Sequence, residues 1–205
     1  MPMKWNHHVR KNGHLKVFNK GGSWSAAVDT AIATFNSLGF GVNLVRESDE
    51  EAADVVVVVG NSSADTYSHK KGHATATKLK PKELHGLAWT RATSTSSRRP
   101  IEIDFAVIFL PGGAPNPTPK QKEVIAVHEF IHASGLSGAL ADGREAPGGD
   151  HDTEGIMYPQ MAVSGDGLIE YLHDGATKPM TPIRVGAKTR CNLRMLWTSE
   201  GCENN

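Results

Sequence analysis

The stretch TPKQKEVIAVHEFIHASG, residues 118–135, limits what this chain can fold into more than any other. It opens with a full set of helix-entry signals. Thr118 is a good N-cap, Pro119 suits the first helical position, and Gln121 stands where its amide closes a capping box. Gly135 offers the positive φ that ends such a helix. Between these ends His128 and His132 fall one turn apart on one face. Val124 and Ile131 flank that face, so the histidines border the buried stripe. Glu129, next in the chain to His128, points about 100° away from it.

Two imidazoles at this spacing, with a glutamate after the first, form the pattern H-E-x-x-H. It supplies two zinc ligands and a general base. Zinc makes a water acidic enough to attack at neutral pH and polarises a carbonyl, and Glu129 is placed to take the proton. Two histidines also occur together on ordinary amphipathic helices, partly buried and hydrogen-bonded. The well-capped helix, the glycine three residues after His132 and a further downstream histidine, His151, favour the metal.

The rest of the chain excludes several classes. With 205 residues it suits one compact domain or two small ones, and 39% hydrophobic residues suffice for a core. Its formal net charge is zero, which gives no reason to expect a nucleic-acid partner. The longest apolar run, VVVVVG, is far too short to cross a bilayer. The N-terminal residues contain no apolar h-region, so no signal peptide is visible. The expectation is secretion by another route or an intracellular protein, acting as a monomer with no membrane partner. The two cysteines, Cys191 and Cys202, are compatible with a short-loop disulfide or with two thiols.

Periodicity predicts a helix over SWSAAVDTAIATFNSLGFG, with Ser23 or Ser25 as its cap. Trp24, Val28, Ala31, Ile32 and Phe35 share its buried face, and Gly39 stops it. Strands are expected in VNLVRES, in the wholly apolar DVVVVVG, in GLAWTRATS and in IEIDFAVIFLPGG. Residues 61–85 read as a long polar loop. Past Gly135 regular structure is expected only from about Pro182, with a last helix inside TPIRVGAKTRCNLRMLWTS.

HEFIHASGL followed by HDTEGIMYP resembles the metzincin clan of zinc endopeptidases, and GIMYP closely resembles the Met-turn of matrix metalloproteinases. The resemblance spans roughly residues 20–200, and only these two motifs are sharp. It implies an α+β fold in one metzincin-like domain: a twisted, mostly parallel sheet backed by helices, the active-site helix, and an irregular C-terminal part with the Met-turn. Residues 1–135 would form the N-terminal subdomain and 136–205 the C-terminal one. Met157 would be the floor beneath the metal, Tyr158 a structural residue, and GLAWTRATS resembles the region before the family's substrate-facing edge strand, where peptides add.

The chain departs from the family where the third ligand belongs, six residues beyond His132. That position is Gly138, which has no ligating side chain. The reading is an insertion over Leu136–Asp150, with His151 as the displaced ligand. Asp150 and Asp152 are the alternatives, since snapalysin-type metzincins use aspartate there, and Asp142 is a weaker one.

The resemblance therefore implies a zinc metalloendopeptidase that acts on peptides or proteins. One catalytic Zn2+ would be held by His128, His132 and His151, with Glu129 as base and then proton donor. Ligation requires neutral imidazole, so activity should fall in mild acid. Ca2+ is a second candidate ion, for the Asp- and Gly-rich segment DGREAPGGDHD. A second zinc at His69 and His73, again four apart, is a weaker expectation. The competing readings are a non-cleaving binding module that keeps the zinc fold, and a narrow zinc amidohydrolase acting on a non-peptide amide.

Overall fold

The computed structural model describes residues 3–62, 64–76, 86–93, 102–112, 116–136, 151–157, 162–163, 169–173, 176–180 and 182–199. The helices are α1 (His7–Asn12), α2 (Ser25–Ser37), α3 (Pro119–Ala133) and α4 (Ala187–Trp197). The central sheet contains β1 (His14–Asn19), β2 (Asn43–Arg46), β3 (Val55–Gly60), β6 (Leu87–Thr93) and β7 (Glu102–Pro111), in the spatial order β2-β1-β3-β7-β6. Four of these strands run parallel and β6 runs antiparallel at the edge beside β7. The expected α+β class with a mostly parallel sheet is therefore present.

β3 and β7 are apolar almost throughout because both faces of the sheet are covered. On one face, Val55, Val57, Ile108 and Leu110 join a core with Phe35 of α2 and Phe130 of α3, whose rings stand edge-to-face at 6.3 Å. On the other, Val56, Phe105, Val107 and Phe109 form a second cluster. A register shift between Arg91 and Ala92 sets Arg91 opposite Phe105 and Ala92 opposite Ile103. Asp104 is the extra residue of this bulge, and the Arg91 guanidinium binds it through two bonds of 2.7 Å.

The second cluster corrects the reading of residues 61–85 as a long polar loop with little regular structure. β4 (Asp65–His69) and β5 (Gly72–Ala76) form an antiparallel hairpin. Ala74 and Ala76 are fully buried against the Phe105 side of the sheet. The residues are too polar and too small to register as a strand by hydropathy, yet they alternate inward and outward along β5. Residues 77–85 lie outside the described residues.

Three further expectations change. β1 and the short helix α1 lie in an N-terminal stretch for which no element was expected; Leu15 and Val17 of β1 are fully buried. Between Gly135 and Pro182 a small antiparallel sheet forms, β8 (Ala162–Val163), β9 (Ile169–His173) and β10 (Ala176–Pro179), in the order β10-β9-β8. Finally, neither serine caps α2. A 3-10 turn, Gly22–Trp24, leads into it and no side chain bonds to its start. The buried stripe of α2 is nevertheless the expected one.

Cys191 is disulfide-bonded, and the chain's other cysteine, Cys202, lies outside the described residues. Among the described residues no helix is long and apolar enough to cross a membrane.

Candidate metal centre

The expected entry to α3 forms in full. The Thr118 hydroxyl accepts from Gln121 N, the Gln121 side chain accepts from Thr118 N at 2.8 Å, and Pro119 opens the helix. The helix is then buried along most of its length, with His128 at 5% and Glu129 at 2% exposure. It ends at Ala133, and Gly135 takes a φ of 123°.

The segment 151–157 is held from the other side. The Asp152 carboxylate accepts from Thr189 N at 2.8 Å and Thr189 Oγ1 at 2.9 Å, so it caps the first turn of α4. Its other oxygen accepts from Thr153 N at 2.7 Å. Asp152 N donates to Met157 O at 2.9 Å, which closes the turn, and Ile156 N donates to Arg184 O. Gly155 sits at φ 71°, where a Cβ would lie 2.7 Å from Gly186 N, so glycine is required. Met157 is fully buried in the main core.

These two supports bring His151 to His128 and His132. The ring centroids are 4.7 Å apart for His128 and His132, 5.7 Å for His128 and His151, and 5.1 Å for His132 and His151. Nitrogens on one tetrahedral zinc, at about 2.0–2.1 Å each, stand roughly 3.4 Å apart. The ligand atoms of these three rings all lie within 4.8 Å of one another.

The chemistry of the donors also fits a cation. His128 Nδ1 faces Ile156 O at 2.7 Å, and His132 Nδ1 faces Leu136 O at 2.5 Å. A carbonyl only accepts, so each Nδ1 carries a hydrogen. Neutral rings of that tautomer turn Nε2 lone pairs toward each other, and these two Nε2 atoms are 3.0 Å apart. A cation between them would offset the repulsion of two facing lone pairs.

The Glu129 carboxyl lies against the start of β6. Burial pushes its carboxyl up to about 8, partly opposed by the hydrogen bond from the Ala88 backbone. A Cβ on Gly86 would lie 2.8 Å from Glu129 Oε1. The glycine before β6 thus lets the strand approach the carboxyl, a role the sequence reading did not assign to it. The two carbonyls that orient the histidine rings were also missed, because backbone acceptors leave no mark on residue identity.

Among the alternative ligands, Asp152 is engaged by α4. Asp142, Asp150 and Gly138 lie outside the described residues, as do most of the calcium candidates and Tyr158. The pair His69 and His73 does not come together. Four apart across a hairpin turn, they point to opposite faces of the ribbon. The His69 ring stacks on Phe105 at 4.5 Å, accepts from Lys71 N and reaches Glu50 O, while His73 meets Ser68 Oγ. Among the described residues, His128, His132 and His151 are the one group of three that could share an ion. The chain matches no known protein-family profile, and no curated protein is similar to it in sequence.

Proposed function

We propose that this chain is a zinc metalloendopeptidase with a metzincin-like fold, and that His128, His132 and His151 hold its metal. The observation that carries the reading is the convergence of the three imidazoles, two of them with Nδ1 committed to carbonyls and Nε2 turned inward. When bound there, zinc would supply an acidified water and a polarised carbonyl. Glu129 would take the proton of the attacking water and pass it to the leaving amine. A carboxylate whose charge is disfavoured by burial is stabilised as an anion by a nearby cation, which suits it to that role.

Substrate placement follows from the sheet. β6 is its antiparallel edge strand, and Gly86 and Ala88 at its start touch Glu129. An extended peptide adding along β6 would pass beside the base. Met157, fully buried, would close the core beneath the site. The test is digestion of a peptide library with and without a chelator, using protein loaded with Zn2+. Chelator-sensitive cleavage of peptide bonds is expected. Metal binding without any cleavage would return the chain to a binding module. Turnover restricted to a non-peptide amide would make it a narrow amidohydrolase.

A further inference from the structure

Carbonyls at and just past the end of an α-helix have no partner inside the helix. At the end of α3 four consecutive carbonyls are satisfied by four different donors. Ala133 O accepts from Trp5 Nε1 at 2.9 Å and Ser134 O from Trp197 Nε1 at 2.8 Å. Gly135 O accepts from Met3 N at 2.8 Å. Leu136 O faces Nδ1 of His132 at 2.5 Å. The first three donors come from the two extremes of the described chain, an N-terminal strand-like segment and the last turn of α4. The fourth is a ring of the metal cluster.

We infer that Trp5 and Trp197 are positioning residues for the metal ligand His132, acting through the Ala133–Leu136 turn. The inference rests on the metal reading above and concerns how the site is held. The turn has little freedom once the indoles are bonded: a Cβ on Gly135 would lie 2.5 Å from Met3 O and 2.8 Å from Leu196 Cδ1. Its last carbonyl, Leu136 O, selects the Nδ1–H tautomer of His132 and thereby turns Nε2 toward His128. The N-terminal segment is itself fixed to the sheet, since Ile103 N donates to Lys4 O and Asn6 N to Ile103 O, each at 2.8 Å. Trp5 is 1% exposed, so its indole N–H has no water to fall back on. The orientation of a ligand on α3 therefore depends on two tryptophans 128 and 63 residues from the carbonyls they bind.

The experiment compares Trp5→Phe and Trp197→Phe, which keep a ring and delete the N–H, with Trp24→Phe. Trp24 is also buried but sits at the opposite end of α3, where its ring lies under the Lys122 ammonium. Zn2+ affinity is measured by chelator competition. The His132 tautomer is read from long-range 1H–15N spectra of the metal-free protein, and thermal unfolding records stability.

Partners that orient a ligand commonly change metal affinity by about 10–100-fold. We expect at least about a tenfold loss of Zn2+ affinity, and loss of the pure Nδ1–H tautomer, in the Trp5 and Trp197 variants. Trp24→Phe should lower only the unfolding temperature. Unchanged affinity and tautomer in both variants, at the same stability cost as Trp24→Phe, would overturn the inference. Wild-type protein that binds no Zn2+ would instead sink the metal reading, while the tautomer measurement would still decide whether the tryptophans orient His132.

Discussion

At the scale of single residues, the neighbours Glu129 and His128 divide the proposed chemistry between proton transfer and ligation. The Glu129 carboxyl meets Gly86 and the Ala88 backbone. Glu129→Gln should therefore retain zinc while hydrolysis falls by a factor on the order of 10² to 10⁴, the usual size of a general acid–base contribution. Metal content and turnover measured on the same sample check this, and full activity with zinc in place removes Glu129 from the mechanism. His151 and Asp152, also neighbours, should separate in the opposite sense. His151→Ala should lose the metal with the fold intact. Asp152→Ala should keep the metal but lose about 2 kcal/mol of stability, because it strips the cap of α4 and leaves Thr189 without its acceptor. Metal analysis paired with urea unfolding distinguishes the two, and a metal-free Asp152→Ala protein would restore aspartate as the third ligand.

At the scale of elements, α3 is the part of the fold whose local sequence and tertiary role agree most closely. Its capping box is formed as read, so Thr118→Ala should destabilise the protein by about 1 kcal/mol without altering metal affinity. Chemical denaturation and chelator competition on one preparation test both halves of that statement. The β4–β5 hairpin is the opposite case. Its two strands carry few large apolar residues, and what makes them a hairpin is the apolar wall of Phe105 and Phe109 supplied by β7. Spacing misled in the same place: four residues apart means one face on a helix, but His69 and His73 straddle a turn and diverge.

At the scale of the whole molecule, stability should vary with pH in a way that one partly buried carboxyl reveals. Asp54 precedes β3 and accepts from Lys16 N at 2.9 Å. Burial raises its folded pKa above the ordinary aspartate value, against that bond and the attraction of Lys71 and Lys16. A raised folded pKa means that the native state holds the proton more tightly than the unfolded chain. Its contribution is complete below the unfolded value and is lost as pH rises through the folded one. Asp54→Asn keeps an acceptor for Lys16 N but cannot ionise. The variant should thus gain on wild type as pH rises from about 3.5 through the acid range. Unfolding free energies at a series of pH values test this, and a difference that moves the other way shows that the ionised carboxylate is the favoured native form.

Three things were legible in the residues themselves: the capped helix with its two histidines, the apolar strands β3 and β7, and the buried stripe of α2. Each depends on local signals, namely side-chain periodicity, a capping pair and runs of branched apolar residues, which act over a few neighbours and so survive in a linear reading. The resemblance of HDTEGIMYP to a Met-turn also singled out His151 before any geometry was known. Tertiary structure decided the rest. That His151 reaches His128 and His132 depends on Asp152 capping a helix 37 residues away. The orientation of the rings depends on the carbonyls of Ile156 and Leu136, and the second face of the sheet on a polar hairpin. These contacts run through backbone carbonyls, a carboxylate and small buried alanines, and most join residues far apart in the chain. Their partners are chosen by packing rather than by the identity of neighbouring residues, so only the folded chain brings them together.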